Sequence, residues 1–251
     1  MALLEVKSIT KKFGGLMAIR DVSFKVETDQ ILGLIGPNGA GKTTIFNLLS
    51  GVCRPNRGEI FYKGTPILSL KAHQVCRLGI ARTYQIVKPF SNMKVIDNVK
   101  VALFFGHKLK DRHTDETEES ESILDFIGLS SKANSLAKSL TLVDRKRLEI
   151  ARALATHPDL LLLDEVIAGL TPTEVLHMVD LIRKIHRKRI TILMIEHVMR
   201  VIMELCDEII VLDHGELIAR GAPQAISTNP AVINAYLGST NAGRERGLGK
   251  A

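Results

Sequence analysis

The sequence contains no tryptophan and few aromatic residues, which make up 4% of its 251 residues. Proteins that bind single-stranded nucleic acid usually stack bases on aromatic rings, so this composition argues against such a surface. Cysteine is also scarce, because only Cys53, Cys76 and Cys206 are present and no pair has a CxxC spacing. This odd number predicts buried or free thiols in a reducing compartment.

Long hydrophobic runs are absent as well. No stretch approaches the roughly twenty apolar residues that span a bilayer, and Met1–Phe13 lacks the apolar segment and cleavage site of a signal peptide. We therefore expect a cytoplasmic chain that reaches a membrane only through a partner. The net charge of +7 is compatible with nucleic acid, nucleotide or an anionic membrane, or with an ordinary solvated surface.

The hydrophobic pattern predicts an α/β fold. Three compact apolar runs are typical of strands buried in a parallel sheet: Ile31–Ile35, Leu160–Leu163 and Ile190–Ile195. Shorter or alternating runs predict further strands, the last two joined by a hairpin turn: Leu3–Ile9, Val22–Val26, Glu59–Lys63, Ile209–Leu212 and Glu216–Ala219. We expect a mostly parallel sheet core and an antiparallel β subdomain.

A helical subdomain is predicted between about residues 90 and 156, inserted into the sheet domain. Its helical segments are Val95–Phe105, Ile123–Leu129 and Thr141–Ala155. The polar run His107–Ser122 is typical of a solvated loop or helix face. A capping box and a proline open another helix at Thr171. The tail 239–251 lacks apolar periodicity, which predicts disorder.

A glycine-rich segment carries the clearest chemistry. The phosphate loop, Gly36–Thr43, satisfies the pattern G-x-x-x-x-G-K-S/T between a buried strand and a helix, which distinguishes it from a chance glycine-rich turn. Main-chain N–H groups of such a loop surround phosphates, Lys42 reaches the β- and γ-phosphates, and the Thr43 hydroxyl binds Mg²⁺. The predicted ATP-binding residues here are Gly36, Pro37, Asn38, Gly39, Ala40, Gly41, Lys42, Thr43 and Thr44.

Two carboxylates follow the buried strand Leu160–Leu163. Asp164 is predicted to hold Mg²⁺, directly or through water, and Glu165 to orient and polarise the attacking water. His197 follows the next buried strand, where it could contact the γ-phosphate. A lone histidine after a strand is more often a surface residue, so both interpretations stay open for His197.

These motifs, in this order, resemble the ATP-binding subunit of an ABC transporter. The resemblance runs from about Leu3 to Gly238 and also rests on Gln85, on Leu148–Ala155 before the second motif, and on Glu196-His197. It implies one ABC ATPase domain over residues 1–238. It also implies that Phe13 stacks on adenine, with core packing as the alternative, that Gln85 binds Mg²⁺ and water and senses the membrane partner, and that His197 is the switch histidine.

Within the family, the chain is similar to importer subunits for branched-chain amino acids. The segments in that style are Lys12–Leu16, Gly36–Phe46, Asp164–Pro172, Ile195–His197 and Asn229–Gly238. Relatives of this type also import other small carboxylates, amides and aromatic acids. The resemblance implies membrane permease subunits at the inner face of the cell membrane, a second ATP-binding subunit, an indirect periplasmic or extracellular substrate-binding protein, and no nucleic acid.

One segment departs from the family pattern. Where relatives have Leu-Ser-Gly-Gly-Gln or a variant that keeps the second glycine, this chain has the signature stretch Leu140, Thr141, Leu142, Val143 and Asp144. Val143 adds a branched side chain where a glycine main chain normally approaches phosphate. Asp144 adds a negative charge that Arg145, Lys146 and Arg147 could offset. In the family this segment completes the partner's ATP site, so we expect a heterodimer with two unequal sites.

Two other classes of protein could carry the same nucleotide-binding motifs. A soluble ABC ATPase acting on nucleic acid or the ribosome usually carries two nucleotide domains, a coiled coil or a zinc insertion, and this sequence has one motif set. An ATP-binding regulatory module without turnover would lack the carboxylate that orients water, and Glu165 is present.

Overall fold

The computed structural model describes residues 2–85, 88–106 and 115–236. The chain divides into two compact units. Unit 1 comprises Met1–Ser69 and Leu193–Ala251, and unit 2 comprises Leu70–Ile192. The predicted helical subdomain of residues 90–156 lies within the sequence range of unit 2, and its own boundaries stay a prediction.

Unit 1 contains an antiparallel sheet of four strands in the order β2-β1-β4-β5. The strands are β1 (Ala2–Phe13), β2 (Leu16–Glu27), β4 (Arg57–Tyr62) and β5 (Thr65–Pro66). Strands β1 and β2 are longer than the sequence predicted. Register shifts interrupt their pairing at several places, so the alternation of buried and exposed residues marks only part of each strand. Ser8 has a φ of 47° at one shift, and such an irregularity disturbs the period of two that marks a strand.

Unit 1 also contains a parallel pair of strands, extended by one antiparallel strand. In it β3 (Ile31–Ile35) pairs in parallel with β9 (Glu208–Asp213), and β9 pairs antiparallel with β10 (Glu216–Gly221). All five residues of β3 are buried. His214 and Gly215 both have positive φ in the turn between β9 and β10, as the hairpin signal predicts. The helices of this unit are α1 (Lys42–Leu49), α7 (Met199–Leu205) and α8 (Pro223–Ser227).

Unit 2 pairs β6 (Ile80–Arg82) in parallel with β7 (Leu160–Asp164). Its helices are α2 (Ala72–Arg77), α3 (Val95–Phe105), α4 (Glu116–Phe126), α5 (Leu142–Leu154) and α6 (Pro172–Arg187), with 3₁₀ turns at Ser130–Lys132 and Ala137–Ser139. The strand β8 (Thr191–Ile195) begins in the sequence of unit 2 and ends in that of unit 1. The elements of both units agree with the predicted α/β class.

Two helix starts show how well local signals worked. Thr171 and Glu174 form the predicted capping box, with Pro172 as the first residue of α6. By contrast, α4 begins at Glu116 rather than at Ile123, because Asp115 accepts a hydrogen bond from the Thr117 N–H and acidic residues fill the first turn. Residues 107–114 and the predicted tail 239–251 lie outside the described residues. Within the described ranges, no helix is both long and apolar enough to cross a membrane.

Candidate active site

The phosphate loop joins β3 to α1 in unit 1. It closes around the ammonium group of Lys42, which donates hydrogen bonds to the carbonyl oxygens of Gly36 at 2.7 Å and Pro37 at 2.9 Å. The Ala40 N–H also donates to the Pro37 carbonyl at 3.2 Å. Lys42 is buried, whereas Asn38, Gly39 and Thr43 are exposed. The lysine side chain is therefore held inside the loop, while other residues of the loop remain exposed.

Two of the glycines let the loop pack against main-chain atoms. Gly36 has a φ of 149°, and a Cβ atom there would lie 2.0 Å from the Leu212 carbonyl oxygen. Gly41 has a φ of 105°, and its Cβ atom would lie 2.7 Å from the Ala18 carbonyl oxygen. Gly39 has a φ of 82° but faces open space. Only glycine satisfies both the left-handed backbone and the close contacts at Gly36 and Gly41.

The hairpin turn after β9 supports the same loop. The Gly215 N–H donates to the Ala40 carbonyl at 3.1 Å, and the Gly215 carbonyl accepts from the Arg20 N–H at 2.8 Å. This role was not predicted, because the sequence marked Gly215 only as a turn residue. Tyr236 is a second missed neighbour: burial raises the pKa of its phenol, and a hydrogen bond with the Gly36 main chain opposes that shift.

The other predicted residues of unit 1 are exposed. Phe13 ends β1 with 49% of its surface exposed, and the Lys11 ammonium lies 4.9 Å from its ring centroid. The core-packing alternative for Phe13 is therefore wrong. His197 is exposed in the turn between β8 and α7, and Thr44 is half-buried in the first turn of α1.

In unit 2, Asp164 ends β7 beside an arginine that the sequence did not single out. Arg82 donates to the Asp164 carboxylate at 2.8 Å, and the two side chains are only 5% and 2% exposed. The Thr83 hydroxyl accepts a hydrogen bond from the Asp164 N–H at 3.0 Å. Arg82 and Thr83 lie just before Gln85 in the chain, so one short segment both contacts Asp164 and carries the predicted Gln85.

Glu165 has an unusual backbone, and both its carboxylate and its main-chain carbonyl accept hydrogen bonds. Its φ of 51° is left-handed, a conformation that costs a non-glycine residue on the order of 1–3 kcal/mol and clusters at functional sites. The Gln85 amide donates to the Glu165 carboxylate at 2.6 Å. The Lys146 ammonium donates to the Glu165 main-chain carbonyl at 2.9 Å. Unit 2 thus brings together Gln85 and Glu165, two of the three predicted catalytic residues.

The signature stretch forms the start of α5. Thr141 is the N-cap, and its hydroxyl accepts from the Asp144 N–H and donates to the Asp144 carboxylate. Lys132 pairs with the same carboxylate. Burial raises the pKa of Asp144, but the hydrogen bonds from Lys132 and Thr141 and the nearby charge of Arg147 outweigh it, so the pKa is below its ordinary value.

This arrangement corrects the expected charge balance. Arg145, Lys146 and Arg147 were expected to offset Asp144, yet the direct ionic partner is Lys132. Arg145 donates instead to the Lys138 carbonyl and Lys146 to that of Glu165, whereas the nearby charge of Arg147 does lower the pKa of Asp144, as expected. Leu140 is buried, Val143 is half-buried and Leu142 is half-exposed.

These two sets of residues support two kinds of chemistry. In unit 1, a helix N-terminus with a glycine loop and an enclosed ammonium suits a polyphosphate. In unit 2, a carboxylate that accepts a hydrogen bond from an amide can orient water and take up its proton.

Comparison with known proteins also indicates an ATP-binding protein. A family model described as ABC transporter matches residues 19–168, and one described as branched-chain amino acid ATP-binding cassette transporter matches residues 216–240. The high-affinity branched-chain amino acid transport ATP-binding proteins BraF of Pseudomonas aeruginosa and LivG of Escherichia coli are each 39% identical, over 94% of this chain and 98% of theirs. The lipopolysaccharide export system ATP-binding protein LptB of Acidithiobacillus ferridurans is 36% identical, over 94% and 97%.

Solved structures agree. The ADP conformation of MJ1267, an ATP-binding cassette of an ABC transporter, is 29% identical with a TM-score of 0.85, over 95% of this chain and 99% of that one. A nucleotide-free ATP-binding cassette from an ABC transporter has the same TM-score at 28% identity, over 94% and 99%. The predicted fold class is confirmed, as is the resemblance that the motifs indicated. The chain belongs to the ABC transporter family of ATP-binding cassette ATPases.

Proposed function

We propose that this chain is the ATP-binding and ATP-hydrolysing subunit that energises an importer for branched-chain amino acids or related small polar or aromatic carboxylates. The match of residues 216–240 to the branched-chain amino acid cassette model carries the proposal. BraF and LivG, named for transport of the same substrates, support it over almost the whole length. Since LptB is named for export, the family match alone does not give the direction of transport.

ATP would bind first to groups of unit 1. Phe13 would stack on adenine, which its exposed ring permits, and the phosphate loop with Thr44 would surround the phosphates. Lys42 would exchange its hydrogen bonds to the loop carbonyls for bonds to the β- and γ-phosphates. The enclosed position of the ammonium supports this role, because it is already directed into the loop.

Hydrolysis would then depend on unit 2 and on His197. Glu165 would orient and polarise the attacking water, with Gln85 fixing the carboxylate, and His197 would contact the γ-phosphate. The Gln85–Glu165 hydrogen bond supports the pairing of these two roles. Movement of the segment that carries Gln85 would transmit the nucleotide state to a membrane subunit.

The predicted Mg²⁺ ligands are the Thr43 hydroxyl, the Gln85 amide and the Asp164 carboxylate. All three are oxygen donors, the class that Mg²⁺ prefers, so their chemistry fits the ion. Bound Mg²⁺ would neutralise charge on the phosphates. Arg82 holds one carboxylate oxygen of Asp164, which fixes the orientation of that carboxylate.

We further propose that this chain works in a heterodimer of ATP-binding subunits. Its own loop would be completed by the signature segment of the partner, and its signature stretch would complete the partner's site. Asp144 supports unequal sites, because a carboxylate paired with Lys132 stands at a position the family normally leaves uncharged. The dimer would bind permease subunits at the inner face of the cell membrane and would meet a substrate-binding protein only indirectly.

The alternative of an ATPase acting on nucleic acid or the ribosome is not favoured. BraF, LivG and LptB are all named as transport or export proteins. The family model for branched-chain amino acid ATP-binding cassette transporters also matches residues 216–240.

The proposal is tested by identifying the partners and measuring uptake. Neighbouring reading frames are expected to encode two permeases, a second ATPase and a substrate-binding protein that binds leucine or a related carboxylate. In proteoliposomes holding this assembly, uptake of the bound ligand should require this chain and fall to background with Lys42→Met. Lys184→Met, which changes an exposed lysine of α6, should leave uptake unchanged. Uptake that does not depend on this chain, or a binding protein that takes no small carboxylate or amide, would overturn it.

A further inference from the structure

Three ionisable residues form a row along one side of α5. Lys146, Glu149 and Arg152 are spaced three residues apart, so their side chains lie on neighbouring turns of the helix. Lys146 is 5% exposed and Glu149 is 8% exposed, and the Arg152 side chain is mostly buried. Buried ionisable groups are rare without partners, so the contacts of this row should indicate what it does.

The first member of the row holds Glu165. The Lys146 ammonium donates a hydrogen bond to the main-chain carbonyl of Glu165 at 2.9 Å. Glu165 is the residue whose φ is 51°. A charge-assisted hydrogen bond is about twice as strong as a neutral one, so it can offset part of the cost of the left-handed backbone. Glu165 is thus fixed through its main chain, which leaves its carboxylate to accept the hydrogen bond from Gln85.

The other two members hold the segment around Gln85. The Glu149 carboxylate accepts a hydrogen bond from the Tyr84 N–H, immediately before Gln85. Arg152 donates to Glu149 at 2.9 Å and to the Lys88 carbonyl at 3.3 Å. Its guanidinium also lies 5.1 Å from the ring centroid of Phe90. The segment is therefore attached to α5 on both sides of Gln85.

Glu165 and the segment that carries Gln85 are thus attached to a single helix. Gln85 and Glu165 are 80 positions apart in the chain, yet their side chains meet at 2.6 Å. We propose that Lys146 is a positioning residue for ATP hydrolysis, which holds Glu165 against Gln85 while Glu149 and Arg152 hold the Gln85 segment. The same helix begins at the signature stretch, so movement of that stretch would move this pair. The inference rests on the proposed role of Glu165.

The test measures ATP turnover by the assembled complex with variants at Lys146. Lys146→Met removes the donor and should lower kcat by roughly tenfold, because small displacements of catalytic groups have effects of this order or larger. The KM for ATP should change by less than about twofold, since the phosphate loop is untouched. Lys146→Arg keeps a charged donor and should recover most of the rate. Lys184→Met serves as the control for loss of a lysine.

A double variant separates positioning from general structure. In the Glu165→Gln background, Lys146→Met should cause no further loss of the residual single-turnover rate, because the group it positions is already replaced. An equal loss in both backgrounds, an unchanged kcat for Lys146→Met, or no recovery with Lys146→Arg would each overturn the inference. If Lys146→Met does not fold, Lys146→Gln can replace it, because glutamine keeps a neutral donor. Lys146→Gln should give a kcat between those of wild type and a variant without a donor. A wild-type kcat for Lys146→Gln would contradict the inference. Full turnover by Glu165→Gln alone would instead overturn the proposed function.

Discussion

The phosphate loop and the signature stretch both form the start of a helix, but they do so by different means. At α1 the cap residue is Gly41 with a φ of 105°, and no side chain caps the helix. At α5 the cap residue is Thr141 with an extended backbone, and its hydroxyl caps the helix. The loop therefore depends on glycine for its backbone, whereas the signature stretch is held by side chains. The absence of glycine from the signature stretch is thus compatible with folding. Its expected effect is to keep the main chain of the stretch farther from a phosphate group.

The largest effect is expected from an added methyl group in the loop. Gly36→Ala would place a Cβ atom 2.0 Å from the Leu212 carbonyl oxygen and should destabilise the chain by about 3 kcal/mol, as overpacking does. Thermal unfolding and ATP affinity measure this effect. Gly39→Ala is the matched control, because it meets open space and should cost only about 1 kcal/mol of backbone strain. Equal losses for the two variants would show that the close contact at Gly36 does not matter.

A smaller effect is expected when glycine is restored to the signature stretch. Val143→Gly should change ATP turnover and nucleotide-driven dimerisation of the assembled complex several-fold, because a branched side chain no longer separates the main chain from the partner's phosphate. The chain itself should lose at most about 1 kcal/mol of stability. Val143→Ala retains a Cβ atom and should change ATP turnover and dimerisation less than Val143→Gly does. Unchanged turnover and dimerisation with Val143→Gly would remove the case for unequal sites.

The smallest effect concerns the ion pair that holds the stretch. Because the pKa of Asp144 is lowered in the folded chain, its pairing stabilises the fold above the unfolded pKa, near 3.8, and this contribution is lost as pH falls through the lower folded pKa. Asp144→Asn should cost about 1 kcal/mol in the free energy of unfolding at pH 7. The difference from wild type should shrink as the pH is lowered below 4. A difference that stays constant from pH 7 to pH 3 would contradict this origin.

Features with local signals were predictable from the sequence. The phosphate loop, the capping box at Thr171 and the turn at His214-Gly215 each depend on residues a few positions apart. The parallel strands were visible because burial on both faces requires an unbroken apolar run, as in β3 and β7. The extent of β1 was not, because its register shifts break the alternation that marks a strand.

Contacts between distant segments of the chain could not be predicted. Arg82 reaches Asp164 across 82 positions, and Lys146 reaches Glu165 from a different element. A charged residue in a sequence is compatible with many partners, and its own pattern does not select among them. For the same reason, three neighbours of Asp144 in the chain were expected to balance its charge, but Lys132 forms the direct ion pair and only the charge of Arg147 among those three lowers the Asp144 pKa.

The proposed mechanism depends most on hydrolysis of ATP by Glu165. The most direct test is phosphate release by the assembled complex carrying Glu165→Gln, with Glu121→Gln, an exposed carboxylate of α4, as the control. The Glu165→Gln variant should still bind ATP and close the dimer, while this chain's own site should turn over at least about 100-fold more slowly, as expected when a catalytic base is lost. Full turnover with Glu165→Gln would show that Glu165 is not needed for hydrolysis.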